Sequence, residues 1–212
     1  PTKLQQAERL LADDGLDCWL LLARETGTGF VCDPTVELLI PGSVIGMSVY
    51  GLLADGRHFA VVAGFDVAQT EAFGLFEEVL AYDESPDAPV RAALDARGPR
   101  TIGVNFSVVD HGADGITYGQ LLWLRRVAGA EHAANIRSAA RVAERLRGIK
   151  TADEVAAMRR AIAATHTMFD AFAEQLVAGV TEAGLHGWMQ AELRQRGWAS
   201  AWDARWCPGL TI

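Results

Sequence analysis

Residues 141–182, RVAERLRGIKTADEVAAMRRAIAATHTMFDAFAEQLVAGVTE, constrain the fold more than any other stretch of the chain. Thr151 and Glu154 spell T-x-x-E, in which the hydroxyl and the carboxylate each satisfy a free backbone N–H at a helix start. From there Val155, Met158, Ile162, Thr165, Phe169, Phe172 and Leu176 recur at spacings of three and four, an apolar stripe that only Thr165 weakens. Gly179 stands where a C-terminal cap is expected, and Thr181 is placed to cap a following helix. The patterns before and after this stretch differ, so a domain boundary is expected at about residues 147–151.

The string Leu146-Arg147-Gly148-Ile149-Lys150-Thr151-Ala152-Asp153-Glu154-Val155, then a long helix, then Gly179-Val180-Thr181-Glu182, resembles the domain junction of the creatinase, prolidase and aminopeptidase P family, the "pita-bread" metallohydrolases. The resemblance implies an α/β chain. Residues 1–147 would form a creatinase-type N-terminal domain, similar to the ribonuclease H-like fold, with a mixed sheet and flanking helices. Residues 148–212 would supply the first helices and a strand start of an α+β pita-bread catalytic domain, present only in part. In the family, two divalent ions (Mn, Co or Zn) are held by two Asp, one His and two Glu, and a bridging hydroxide becomes the nucleophile. Those ligands follow the position of Ile212, beginning with D-x-G-x-x-x-x-x-Y-x-x-D, a string this chain lacks. No catalytic residue and no metal ligand is therefore assigned, and this chain alone is expected to bind no cofactor and to be inactive.

Composition narrows the partners. The 212 residues suit one or two domains, and the net charge of −8 disfavours nucleic acid and anionic membranes, which select basic patches. Cys18, Cys32 and Cys207 show no C-x-x-C spacing and read as reduced, mostly buried thiols of a cytoplasmic protein. No stretch approaches the roughly 20 apolar residues of a membrane span, and the N-terminus does not read as a signal peptide. Lysine occurs only at Lys3 and Lys150 against abundant arginine, which reads as coding bias.

Before the junction, apolar runs alternate with amphipathic segments. A helix is expected over Lys3–Asp14, stopped by Gly15, and a buried strand over Cys18–Ala23. Residues 24–42, rich in Gly, Thr and Pro, read as a long loop. Asp55-Gly56 between residues 43–54 and 57–64 signals a hairpin whose two central positions take positive φ. Asp66 is placed to cap a helix to about Phe73. A strand over 77–82, a helix over 86–97, a strand over 101–106, a helix over 117–127, a strand near 132–136 and a helix to about Leu146 follow. Such alternation after a hairpin predicts an α/β domain with a mixed sheet. Beyond the junction, a second helix is expected over residues 182–196 with Leu185, Trp188, Met189 and Leu193 in its stripe, and a strand start within 198–212.

Other chemistry finds little support. His58, His111, His132, His166 and His186 fall in no zinc-ligand spacing, and His166 reads as a packed or half-exposed side chain. Asp110-His111 with Ser107 and Asp114 superficially suggests a hydrolytic set, but no G-x-S-x-G elbow exists, and the run 105–117 reads as a strand end, a turn and a helix cap. The glycines at 27–29 and 112–115 lack the G-K-[ST] of a P-loop. In the family, loops of the N-terminal domain reach the active-site mouth of a neighbouring subunit, which makes Arg24, Phe30 and Glu37 substrate-vicinity candidates. Asp203 and Arg205 are candidates because the family's first catalytic-domain strands lead toward the cleft. The expected function is that of the N-terminal portion of an Xaa-Pro dipeptidase or aminopeptidase acting on peptides, as a homodimer joined through this domain. Creatinase-like C–N hydrolysis of a small guanidino compound and a non-catalytic dimerisation or binding module stay open as alternatives.

Overall fold

The computed structural model describes residues 2–26 and 33–210. It divides into two compact units, Pro1–Thr151 and Ala152–Ile212. The first contains β1 (Cys18–Ala23), β2 (Ser48–Leu53), β3 (Phe59–Ala63), β4 (Glu78–Tyr82), β5 (Ile102–Val104) and β6 (Ile136–Ser138), with helices α1 (Lys3–Asp14), α2 (Pro34–Leu39), α3 (Val67–Ala72), α4 (Asp87–Arg97), α5 (Tyr118–Ala134) and α6 (Ala140–Gly148). The second contains α7 (Ala152–Ala173) and α8 (Glu182–Gln195).

The strands form one mixed sheet in the order β4-β3-β2-β1-β5-β6. β2 runs antiparallel to β1 and β3, while β1, β5 and β6 are mutually parallel and β4 is parallel to β3. Every residue of β1 is buried because helices cover both faces of the sheet, which is why its sequence reads as an unbroken apolar run. Trp19, Leu21 and Ala23 face the layer of α1, α2 and α6, where Leu11, Val36 and Leu146 meet them. Cys18, Leu20 and Leu22 face α4 and α5, packing with Leu94 and Leu124. The fold is thus a helix–sheet–helix sandwich.

Local chemistry sets the boundaries. Thr2 and Gln5 form a reciprocal capping box on α1, and Gly15 closes it with φ 67°. Thr117 and Gln120 do the same for α5. The hairpin forms, but only Gly56 has positive φ, at 83°. Its N–H donates to Leu53 O at 3.1 Å, so the connection is a β-turn followed by one left-handed glycine, not the two-residue turn the Asp-Gly pair suggests.

Four other expectations are corrected. Residues 24–42 are not all loop, because Asp33 accepts from Thr35 N at 2.9 Å and Pro34 supplies a pre-set φ at the first position of α2. Asp66 precedes α3 without capping it; its carboxylate accepts instead from Gly46 N at 2.9 Å and Ile45 N at 3.3 Å. His132 lies in α5, which continues past a kink at Gly129 (φ 72°), and the strand begins only at Ile136. Residues 198–210 contain no strand: Trp206 N and Cys207 N both donate to Asp203 O, at 2.9 and 3.1 Å, which coils the chain into a turn.

In the second unit, Met168, Leu185 and Met189 are buried, and the Phe172 and Trp188 rings lie 6.4 Å apart. The stripe read along α7 splits. Phe172 turns inward, but Met158, Ile162 and Phe169 stay about half exposed, and Leu176 falls beyond the helix. There the bonds Gln175 N to Phe172 O and Leu176 N to Ala173 O tighten the last turn.

The end of α6 is held by both lysines of the chain. Lys3 Nζ donates to Leu146 O (2.6 Å) and Ile149 O (2.8 Å), Gln6 Nε2 donates to Ile149 O (3.0 Å), and Lys150 Nζ donates to Arg147 O (2.8 Å). Cationic donors at a helix C-terminus satisfy carbonyls left without intrahelical partners.

Candidate functional site

The carboxyl ends of β1 and β5 lie side by side where the chain departs in opposite directions, to β2 on one flank and toward β6 on the other. A crevice at such a reversal is the usual ligand position in open α/β sheets. A cavity of about 690 Å³ opens here, with Leu22, Asp33, Met47, Gly115, Gln120 and Trp123 among its lining. That volume is in the range of small-molecule sites, roughly 300–1,000 Å³.

A buried polar chain supports this end of the sheet. Trp19 Nε1 donates to Asn105 Oδ1 at 2.8 Å. Asn105 Nδ2 donates to Asp33 Oδ2 at 2.7 Å and to Thr35 Oγ1 at 2.9 Å, and Thr35 N returns to Asp33 Oδ1 at 2.9 Å. Asp33 is 3% exposed and Asn105 1%. The network ties the segment after β1 to the segment after β5. Gly115 completes the fit, because a Cβ at that position would collide with the Asp33 carboxyl. Burial pushes the Asp33 pKa above its ordinary value, and the hydrogen bonds from Thr35 and Asn105 only partly oppose that shift.

The rim is set by backbone chemistry. Glu25 adopts φ 51°, a conformation uncommon outside glycine, and its N–H donates to Ile45 O at 3.3 Å. Thr26 N donates to Val44 O at 3.0 Å, and Val44 N donates to Thr26 Oγ1 at 2.9 Å. On the other wall, Ile116 N donates to Asn105 O, Ser107 N donates to Asp114 Oδ1, and Thr117 caps α5, so the run 105–117 is indeed a strand end, a turn and a cap. Asp110 accepts from Gly112 N and lies 3.7 Å from Arg147; among the described residues it makes no Ser–His–Asp relay.

Of the residues singled out from sequence, Arg24 lines the cavity with an exposed side chain, whereas Glu37 is exposed on α2 outside the lining. Asp203 and Arg205 pair with each other at 2.6 Å in the second unit, both exposed. Phe30 and Cys32 lie outside the described residues. Asp33, Asn105 and Trp19, which sequence reasoning did not select, form the ordered polar core of the site. The one local signal for them was Asp33-Pro34, a helix start inside an apparent loop. Cys18 is a free buried thiol with its pKa pushed up by burial to about 12, and Cys207 is half-buried and free. Among the described residues no three His, Cys, Asp or Glu side chains converge as a metal site, and no helix is long and apolar enough to cross a membrane. The described residues therefore do not fit a dinuclear centre, and no catalytic step is derived from them.

No family model matches the sequence, and no curated protein matches it. Solved structures do match. The dipeptidase PepE from Mycobacterium ulcerans superposes with a TM-score of 0.65 at 19% identity, covering 94% of this chain and 49% of its own. The Xaa-Pro dipeptidase from Bacillus anthracis gives 0.64 at 16%, with the same two coverages of 94% and 49%. The N-terminal domain of an Xaa-Pro dipeptidase from Lactobacillus brevis gives 0.51 at 13%, covering 70% of this chain and 100% of its own. The chain spans about half the length of the whole dipeptidases it matches, and the likeness is one of fold. It is the fold that the junction residues imply.

Proposed function

We propose that the chain is the N-terminal portion of a dinuclear-metal hydrolase, an Xaa-Pro dipeptidase or aminopeptidase that cleaves peptide bonds. The observation that carries this reading is the structural match of 94% of the chain to about half of a solved Xaa-Pro dipeptidase. The junction string from Leu146 to Val155 supports it independently. In this reading residues 1–147 form the domain that joins two subunits, and residues 148–212 open the catalytic domain. The two divalent ions (Mn, Co or Zn) are held by residues outside this chain, which is inactive alone. This reading assigns the exposed Arg24 and Glu37 to a neighbouring subunit's active-site mouth and Asp203 and Arg205 to the cleft. The enzyme is cytoplasmic.

The test has two parts. The coding sequence downstream of Ile212 is expected to continue with Asp, Asp, His, Glu and Glu in the family's order, and the longer protein, supplied with manganese, is expected to hydrolyse Xaa-Pro dipeptides. Turnover of a guanidino compound in place of dipeptides overturns the peptidase assignment. Stoichiometric binding of two manganese ions by the 212-residue chain overturns the assignment of the ligands to residues outside it.

A further inference from the structure

We propose that the outer edge of β4 joins two copies of this chain, the two strands running antiparallel about a twofold axis at Leu80. This pairing rests on the reading in which residues 1–147 join two subunits, and it gives that contact its strand.

The sheet ends in β4 on one side and β6 on the other. An edge strand leaves every second N–H and C=O without a ladder partner, and proteins commonly blunt such edges with short strands, charges, proline or bulges. β6 is blunted: it has three residues, and Arg137 and Ser138 are exposed. β4 is not. Its five residues, Glu-Val-Leu-Ala-Tyr, pair with β3 without a break and include no Pro, Lys or Arg. Its one charge, on Glu78, is taken by Arg97 at 2.8 Å. Among the described residues no hydrogen bond reaches the β4 backbone from outside the ladder to β3.

A second copy of the same edge fits this one. Antiparallel pairing about Leu80 sets Leu80 against the partner's Leu80, Val79 against the partner's Ala81 and Glu78 against the partner's Tyr82, so the two Glu78 carboxylates never face each other. Leu80 and Tyr82 belong to the sheet face under α4 and α5, and Val79 to the face under α1, α2 and α6; all three are only half-buried in one chain. Pairing therefore continues both cores across the axis and covers these side chains while it satisfies the backbone. Glu77 and Asp83 fall opposite each other at the two ends, but both are exposed, where solvent and salt screening keep the repulsion small.

The experiment is sedimentation equilibrium of the purified 212-residue chain beside Leu80→Lys, Leu80→Glu and an equal mixture of the two variants. The native chain is expected to move with concentration from the 22.8 kDa of one chain toward twice that mass. Each variant alone sets like charges face to face at the axis, so its dimer dissociation constant should rise about tenfold or more, and the mixture should dimerise again by setting Lys against Glu. A native chain that stays monomeric overturns both the pairing and the dimer. A native dimer that persists unchanged in Leu80→Lys, or a mixture that does not recover, overturns the pairing alone and leaves residues 1–147 to join subunits through another face. Should either variant unfold, hydrogen exchange in the native chain decides: alternate amides of β4 are expected to gain protection as concentration rises while those of β6 do not, and equal behaviour of the two edges overturns the pairing.

Discussion

Asn105→Ala tests whether the polar chain beneath the cavity holds the first unit together. The side chain is 1% exposed and makes three hydrogen bonds, to Trp19 Nε1 (2.8 Å), Asp33 Oδ2 (2.7 Å) and Thr35 Oγ1 (2.9 Å). Truncation orphans a buried indole N–H and a buried carboxylate oxygen, each worth about 1–3 kcal/mol when left without a partner. Thr35 retains a rotatable hydroxyl that can turn elsewhere, so we assign it little. The summed cost is about 2–6 kcal/mol, which reaches the upper end of what single substitutions produce. Trp19→Phe removes only the first bond and should cost about 1–2 kcal/mol. Native-state hydrogen exchange at the amides of β1 reads the opening free energy of this unit alone, which avoids treating a chain of two units as two-state. If Asn105→Ala lowers that free energy by less than Trp19→Phe does, the network is not cooperative and the reasoning fails.

Two further perturbations probe the helix layers. Lys3→Met keeps the aliphatic stem but removes the ammonium from Leu146 O and Ile149 O, so the amides of the last turn of α6 should exchange about tenfold faster or more, equivalent to roughly 1–2 kcal/mol, with α4 unchanged; equal exchange in both proteins would deny the clamp. His58 accepts from Leu53 N at Nδ1 (3.1 Å), so its proton sits on Nε2 facing Glu8, 3.1 Å away. Burial depresses its pKa below 6.5, with Glu8 and Asp55 pulling the other way. The unfolded chain therefore takes up the proton first: the contribution is full above about pH 6.5 and is lost as pH falls through the lower folded value. Urea titrations from pH 7.5 to 5 should show this slope in the native protein and a flatter one in His58→Gln.

What the sequence made legible was whatever depends on neighbours along the chain. The buried run of β1, the Gly15 stop after α1 and the Thr117 cap of α5 are each determined within a few residues, and each occurs where the pattern places it. Gly129 misled because a positive-φ glycine ends a helix only if the next residues have something better to do; here the helix resumes and carries His132 against Asp95 at 3.1 Å. Asp66 misled because a cap and a long-range acceptor look alike in sequence, and the N–H groups of Ile45 and Gly46 competed successfully for its carboxylate. The lysine bias conceals a placement: both lysines serve the carbonyls at the end of α6.

The candidate site was the least legible part, for a reason built into the topology. Its polar core joins Trp19 on β1, Asp33 before α2 and Asn105 after β5, three residues that only the parallel pairing of β1 with β5 makes neighbours. Each looks ordinary alone: a core tryptophan, a helix cap, a strand-end amide. Together they place one buried carboxylate, braced by neutral donors, at a cavity wall. An amide would cap α2 equally well but would turn its NH2 toward Asn105 Nδ2, so only a carboxylate accepts from both Thr35 N and Asn105 and joins the two loops.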